Sequence, residues 1–586
     1  MIDIESRDKE PVLYVGKDEV EEAVGLLNKA DLIVGHNICG YDIQVIEKVT
    51  GVRLKNKMFD TLTIAQLICP DVKKVFYKDP ETGEVITGKG QNLKAWGIRL
   101  KCYKKQYDLG FDEYSEEMGT YCMQDTKVTY ELYKYLLSKK WPQSSIEFEM
   151  SVARIIADIG NYGIYFDVEE GQKLYAELLE KYKIIADEAR LIFPPWFKFT
   201  KMFTYKKTNA EVCKIELTEF NPNSRTHIID RLQNKYNWKP TKFTEKGAPI
   251  MDTKVLASMD YPEAKKLSEL FMLNKRISQL ATGKEAWLLH IKEDGRIHGR
   301  INQNGARTGR CTHQKPNLSQ VPKAGKEYGE ECRKLFRAAP GKILIGCDFT
   351  GLEFAVLAGY MVKYDRGRLR NIVMNGDKDK GTDIHTINAK AMGVDRTTAK
   401  TLLYAMMYGG GAEKAGSIIN SGMSELQKKE VGREIRDRLL DSMDGIKDFI
   451  ADIQKAYRQR AKQQKSDKGF TEYVNGWLKG LDGRPIYCDY EYMALNTVLQ
   501  SAGALISKRG LVELTELLEK EGLIQNKHYG IVIYSHDEWD IECDPKDKEI
   551  IKQKSLEACV RAGEYFKFPC KMSGEVQEGD NWNDIH

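Results

Sequence analysis

Apolar and polar positions alternate in short blocks at the start of the chain. Strand-like runs over 11–15 and 31–34 flank a helical period over 20–27, and a longer amphipathic helix is expected around 117–137. Elements in this order predict an α/β unit. Residues 143–190 then carry helical periodicity rich in Glu and Lys, until Phe193-Pro194-Pro195-Trp196 stops it and a basic, aromatic loop, WFKFTKMFTYKK (196–207), follows. Lysines alternating with aromatics in that loop suit phosphate contact and base stacking, or plain anchoring of a surface loop. Further on, a buried strand runs from Ile343 into Asp348, a helical block fills 385–465, and a hairpin returns over 531–543. This order implies a helical subdomain inserted between strands of one sheet. The dense Lys, Arg and Gln run over 455–468 reads as a solvated helix face.

With 586 residues, 42% of them hydrophobic, the chain is expected to build several cores rather than one. The formal net charge of +4 leaves any hold on a polyanion to local basic patches. Twelve cysteines without a CxxC pair argue against a zinc ribbon or a secreted disulfide framework and favour a reducing compartment. No apolar run approaches the ~20 residues that span a bilayer, and the start lacks a basic-then-apolar signal, so a cytoplasmic protein is expected.

The chemistry concentrates in three segments. In KILIGCDFTGLEF a strand ends at Asp348, which puts a carboxylate at the mouth of a cleft. In IVIYSHDEWDIEC the residues His536-Asp537-Glu538 form the tip between two apolar strands. Phosphoryl transfer by two metal ions roughly 3.5–4 Å apart needs such aspartates on adjacent strands. Between them, Arg396, Lys400, Tyr404 and Tyr408 recur every fourth residue and make one stripe along a helix that three glycines end. Two cations followed by two aromatics can meet a triphosphate, then a sugar and base.

These segments resemble motifs A, B and C of the family A DNA polymerases, most closely the phage replicative branch. The likeness extends through TGRCTHQKPNLSQVP (308–322), GTDIHTINAK (381–390), GLDGRPIY (480–487) and ALNTVLQSAGALI (494–506). The resemblance implies a ribonuclease-H-like 3′–5′ exonuclease domain (1–141) followed by a right-hand polymerase: thumb 142–300, palm 301–365 with 480–586, and fingers 366–479. By the same resemblance Asp348 and Asp537 bind two Mg2+ ions, and Glu538 and Lys400 join them in catalysis. His385, Arg396 and Lys400 contact the triphosphate, and Tyr408 the nucleotide. Glu353 guards the sugar 2′ position, and a tyrosine at 404 implies acceptance of dideoxynucleotides. Arg310, Asn496, Gln500 and His536 touch DNA near the primer end. The implied partners are primer–template DNA and dNTPs, with a replicative helicase–primase and a single-strand-binding protein alongside. Only about twenty residues separate the thumb helix from FNPNSRTHI, so a thioredoxin clamp is not expected. His586 resembles the terminal histidine of phage relatives.

GHNICGYD (35–42) and YCMQD (121–125) resemble the second and third motifs of proofreading exonucleases, which makes Asp42 and Asp125 metal ligands and Tyr121 a positioner of water. Asp60 resembles a family aspartate whose capping role suffices. Asp3-Ile4-Glu5 has the letters of the first motif, yet only one strand, PVLYVG, lies between Glu5 and the first helix where the fold needs two. The reading that fits takes MIDIES and PVLYVG as the second and third strands, joined by a turn over 7–10, with the first strand absent. Proofreading is then expected to be weak or lost. Three rivals are a single-subunit RNA polymerase, opposed by Glu353 and the nuclease-like start, a nuclease whose polymerase half only binds DNA, opposed by the intact polymerase motifs, and a non-catalytic DNA-binding scaffold, which needs neither the two aspartates nor the phosphate-contacting stripe with Glu353.

Overall fold

A computed structural model describes residues 1–585 except 6–8, 79–82, 104–106, 108–109, 111, 245–246 and 466–468. His586 and part of the expected turn over 7–10 lie outside the described residues.

The first unit contains helix α1 (Lys17–Lys29), strand β1 (Leu32–Gly35), helix α2 (Asp42–Thr50), strand β2 (Lys57–Asp60) and the long helix α3 (Glu116–Ser138). β1 and β2 pair in parallel across the α2 crossover, with Ile33 opposite Met58. The strand expected over 11–15 does not form. Met1 and Val12 exchange reciprocal backbone hydrogen bonds of 2.6 and 2.7 Å, but no ladder continues on either side, so one bridged pair stands where a hairpin was expected.

The helical period over 143–190 resolves into two helices, α4 (Gln143–Tyr162) and α5 (Val168–Ile192), with strand β3 (Ile164–Phe166) between them. The break is at Gly163, whose φ of 67° and close approach to the Ile297 carbonyl, 2.9 Å from where a Cβ would lie, exclude other residues. Beyond the prolines, the expected basic loop is instead a strand, β4 (Trp196–Tyr205), paired antiparallel with β5 (Ala210–Thr218). Asn209, at φ 55°, helps turn one strand into the other.

The central sheet has the spatial order β7–β8–β6–β9, all antiparallel, from β6 (Ile343–Phe349), β7 (Tyr529–Ser535), β8 (Glu538–Cys543) and β9 (Gly574–Gly579). Helix α6 (Leu352–Asp365) follows β6, and α7 (Ile384–Met392) and α8 (Arg396–Met407) open the helical block expected from 385 onward. α9 (Ala494–Lys520) and α10 (Lys548–Tyr565) pack on the sheet. α9 lies so close that a Cβ on Gly510 would fall 2.9 Å from Phe349 and 3.0 Å from Trp539. The lysine-rich run does not stay helical: the helix ends at Arg458 and Lys462–Lys465 pairs as a strand with the hairpin that follows. All twelve cysteines are free, and no helix among the described residues is long and apolar enough to cross a membrane.

One buried ion cluster joins distant parts of this frame. Glu149 of α4, fully buried, accepts hydrogen bonds from Arg484 at 2.6 Å, Lys508 at 3.0 Å and Gln303 at 2.5 Å, and Lys508 also reaches the Asn304 side chain at 3.2 Å. Burial alone would raise the Glu149 pKa, but the charges of Lys508 and Arg484 hold it at about 2. Glu149→Ala would strand two buried cations and is expected to cost about 3–5 kcal/mol of stability, measured as a denaturant midpoint. The folded pKa lies below the ordinary value of 4.5, so the wild-type contribution persists above pH 4.5 and fades as pH falls toward 2. A loss that is the same at every pH would contradict this account.

Candidate active site

The site grows from the pairing of β6 with β8. Asp348 sits opposite Glu538 on one side and Glu575 on the other. β7 and β8 are joined by the two residues His536 and Asp537, since Ser535 pairs with Glu538. Such a turn needs a positive φ at its first position, and His536 takes it at 60°. The Phe349 backbone N–H donates to the Asp537 carbonyl at 3.1 Å, so the two aspartates stand side by side at the end of adjoining strands.

Their charges are felt. Asp348 emerges to solvent from an otherwise buried strand. Partial loss of hydration, then the neighbouring Asp537, Glu538 and Glu575, push its pKa from the ordinary 3.8 to about 7, against the opposing pull of Lys323. Asp537 is also raised, first by burial and then by Glu353. Behind them Asp540 is fully buried, with its pKa far above normal from burial and from the Glu538 charge, while the buried Arg333 guanidinium stands near both.

Two like-charged carboxylates facing one cleft are a fit for a divalent cation. Among the described residues no three His, Cys, Asp or Glu side chains converge as a fuller ligand set. Two carboxylates suit Mg2+, which keeps water and substrate phosphate as its remaining ligands, better than ions that favour an all-protein cage.

The facing wall is α8. Arg396 is paired with Asp383, the N-cap of α7, at 3.0 Å. Partial burial works against the Asp383 charge, but the Thr386 hydroxyl and Arg396 hold its pKa at about 2. His385 packs edge-on to Phe354 at 5.0 Å, and burial followed by the charges of Arg396 and Lys400 lowers its pKa, which favours the neutral ring. Lys400 is exposed, 6.0 Å from the Tyr404 ring centre, and Tyr404 lies 6.4 Å from Tyr408. Burial, then Glu353, Tyr408, Asp537 and Asp348, push the Tyr404 hydroxyl up to about 12, which places that helix face within electrostatic reach of the aspartates. Glu353 is the hub between the walls: the Tyr408 hydroxyl donates to its Oε1, and Arg310 donates to the same oxygen at 3.0 Å. His536 is lowered by lost hydration and by the Arg310 and Lys323 charges. Asn496 and Gln500 stand one turn apart on α9, both partly exposed.

Sequence reasoning missed Lys323, Glu575 and the Arg333–Asp540 backing. Lys323 directly follows the SQVP segment, but no spacing rule flags a cation there.

In the first unit Asp42 stands within electrostatic reach of Asp125: burial first raises its pKa, a backbone hydrogen bond opposes this, and the Asp125 charge adds to the rise. Tyr121 lies one helical turn before Asp125, its ring 5.4 Å from that of Tyr107. Asp60 is a cap: it accepts backbone bonds from Asn37, Cys39, Leu62 and Thr63 at 2.9–3.2 Å. Asp3 and Glu5 are exposed and outside any strand, and the Asp3 carboxylate takes the Glu5 N–H at 2.9 Å.

A cleft with paired aspartates at strand ends, walled by a helix of cations and tyrosines, has the chemistry of a two-metal phosphoryl-transfer enzyme. The chain belongs to DNA polymerase family A, whose model matches residues 200–584, and it is a DNA-directed DNA polymerase. It is 31% identical to the DNA-directed DNA polymerase of Enterobacteria phage T3 over 96% of this chain and 93% of that one. It is likewise 31% identical to that of Escherichia phage T7, over 98% and 94%. Among solved structures it is similar to the POL domain of Pol1 from M. smegmatis in complex with DNA primer-template and dNTP, with a TM-score of 0.67 at 18% identity over 91% of this chain and 84% of that one.

An unfolded aspartate releases its proton near pH 4, whereas folded, metal-free Asp348 keeps it to about 7. Folding is therefore penalised increasingly between these values, and in full above pH 7. Asp348→Asn is expected to raise the thermal midpoint of the metal-free protein at pH 8 and to change it little at pH 4. A lower midpoint at pH 8 would contradict the like-charge account.

Proposed function

We propose that this chain is a phage-type replicative polymerase whose palm (301–365 and 480–586) presents Asp348 and Asp537 as ligands for two Mg2+ ions. In this reading 366–479 are the fingers, 142–300 the thumb and 1–141 an exonuclease-like domain. The observation that carries it is the side-by-side placement of the two aspartates across from the α8 stripe. The metal ions, when bound, supply charge neutralisation for attack of the primer 3′-hydroxyl on the α-phosphate of a dNTP.

The protein's own residues do the rest. Arg396, Lys400 and His385 bind and orient the triphosphate, with Glu538 supporting the aspartates from β8. Glu353, fixed by Tyr408 and Arg310, fills the space beside the sugar, so a 2′-hydroxyl meets a carboxylate that cannot yield without breaking two hydrogen bonds. Tyr404 packs beneath the sugar and base. Asn496 and Gln500, with Arg310 and His536, face the primer–template, where minor-groove acceptors are common to every correct pair. Primer–template DNA and dNTPs are the substrates, supported by the complex in which the similar Pol1 domain was solved. A helicase–primase and a single-strand-binding protein are natural co-workers of such an enzyme.

In the first unit, Asp42 and Asp125 within electrostatic reach of each other, with Asp3 and Glu5 exposed outside any strand, support weak or absent proofreading. One labelled primer–template with Mg2+, with and without dNTPs, tests both halves. Extension without 3′ shortening is expected. Strong shortening would return Asp3 and Glu5 to the nuclease site, and extension with rNTPs alone would favour the RNA polymerase rival. Glu353→Ala is expected to raise rNTP incorporation relative to dNTP by about tenfold or more, measured as a ratio of kcat/KM values. An unchanged ratio would remove Glu353 from sugar selection.

A further inference from the structure

Neither the nuclease-like residues of the first unit nor the polymerase cleft uses a pocket of about 340 Å³ at the C-terminal end of α3. It lies roughly 15 Å along that helix beyond Asp125. Its volume falls within the range of ligand pockets, roughly 300–1,000 Å³. Val72, Val75 and Leu100 line it, with Trp96 and Tyr135 packed at a tilt 5.5 Å apart. Its wall is basic. Arg99 lies over the Trp96 ring at 5.0 Å, and its Nη2 donates to the Lys73 carbonyl at 2.9 Å. Its Nη1 is buried and has no hydrogen-bond partner among the described residues. Lost hydration lowers the Arg99 pKa, and the groups that oppose the fall are Cys69 and Tyr135, neither of them a carboxylate. Lys73 lines the mouth and Lys139 stands 4.1 Å from the Tyr135 ring centre, both exposed. Asp71, the one acid in the 69–78 stretch, is engaged by Arg307 at 3.0 Å.

A guanidinium held partly out of water without a counter-ion is costly until an anion completes it. The anion must carry apolar bulk beside its charge, because Val72, Val75 and Leu100 line the same hollow. A nucleic acid suits it poorly. Trp96 is only 2% exposed, and Arg99 and Lys139 lie over the Trp96 and Tyr135 rings, which leaves little ring surface for a base to stack on. A peptide that ends in a bulky apolar residue suits it well, since its last α-carbon holds a carboxylate and an apolar side chain together. Acidic residues before that end would meet Lys73 and Lys139.

We propose that this pocket docks the free carboxyl end of an acidic peptide of a partner protein, with the terminal carboxylate on Arg99 and the last apolar side chain against Val72, Val75 and Leu100. The site is separate from the polymerase cleft and does not depend on it. The test uses the full chain and a fluorescein-labelled peptide, Asp-Asp-Asp-Asp-Leu-Phe with a free carboxyl end, read by anisotropy at moderate salt. Saturable binding in the micromolar range is expected. Amidating the carboxyl end is expected to weaken it about tenfold, and replacing Leu-Phe by Ser-Ser to weaken it about as much. Arg99→Gln is expected to weaken the free acid about tenfold and the amide hardly at all, because the contact it removes is already gone. Primer extension by R99Q is expected to match that of the parent chain, which separates this site from the polymerase reading. Where R99Q does not fold, the comparison of acid with amide on the parent chain still decides. No saturable binding below about 1 mM, equal affinity for acid and amide, or losses from R99Q and amidation that simply add would each overturn the proposal. So would R99Q weakening the binding of a single-stranded oligothymidylate while the parent chain ignores the peptide, since the pocket would then belong to a nucleic acid.

Discussion

The antiparallel pairing of β6 with β8 is the constraint on which the rest depends. Paired this way, a strand ending in Asp348 and a turn ending in Asp537 must bring their carboxylates to one edge, whatever those charges prefer. The preference is unfavourable: lost hydration first, and then the neighbouring carboxylates, raise Asp348 to about pKa 7. What holds the arrangement is the apolar layer beneath: Leu344, Ile345 and Cys347 on β6, Ile531 to Tyr534 on β7, and Trp539 and Ile541 on β8 are all buried. The sheet sets unfavourable charge at a solvent-facing edge, and that edge is where a divalent cation and a polyanionic substrate would relieve it.

The second wall repeats this logic with opposite sign. The guanidinium of Arg396, the Lys400 ammonium and a histidine whose pKa is lowered by burial and then by its neighbours line one side, and Arg396 is for now satisfied by Asp383. Glu353 couples the walls, because it accepts from Tyr408 on the helical side and from Arg310 on the other. Arg310 follows the segment of Gln303 and Asn304, whose side chains are tied into the buried Glu149 cluster. The path from a core ion cluster to the edge of the cleft is therefore short and wholly hydrogen-bonded at its ends.

The parts that could be read in the sequence were those with a one-dimensional signature. Asp348 ended an apolar run, Asp537 sat between two such runs, and the α8 stripe kept a four-residue period, so the structure places all of them where the pattern suggested. Gly163 was invisible because helical periodicity continues on both sides of it, and only the approach of the Ile297 carbonyl requires a glycine there. The β4–β5 hairpin read as a loop because its bulge breaks the two-residue alternation at Thr200, which disguises a ten-residue strand. The strand expected over 11–15 had the composition of a strand but no partner ladder to join. Lys323, Glu575, Arg333 and Asp540 become neighbours of the site only through tertiary packing, and nothing in their spacing announces it.

The most direct test of the central claim is a comparison of Asp537→Ala with the parent chain in Mg2+-dependent primer extension, alongside equilibrium binding of the same primer–template. The account predicts that extension falls by at least about a thousandfold, as loss of several kcal/mol of transition-state stabilisation requires, while DNA affinity stays within a few-fold. Retained turnover would contradict the assignment of these strand-end aspartates as the chemical centre.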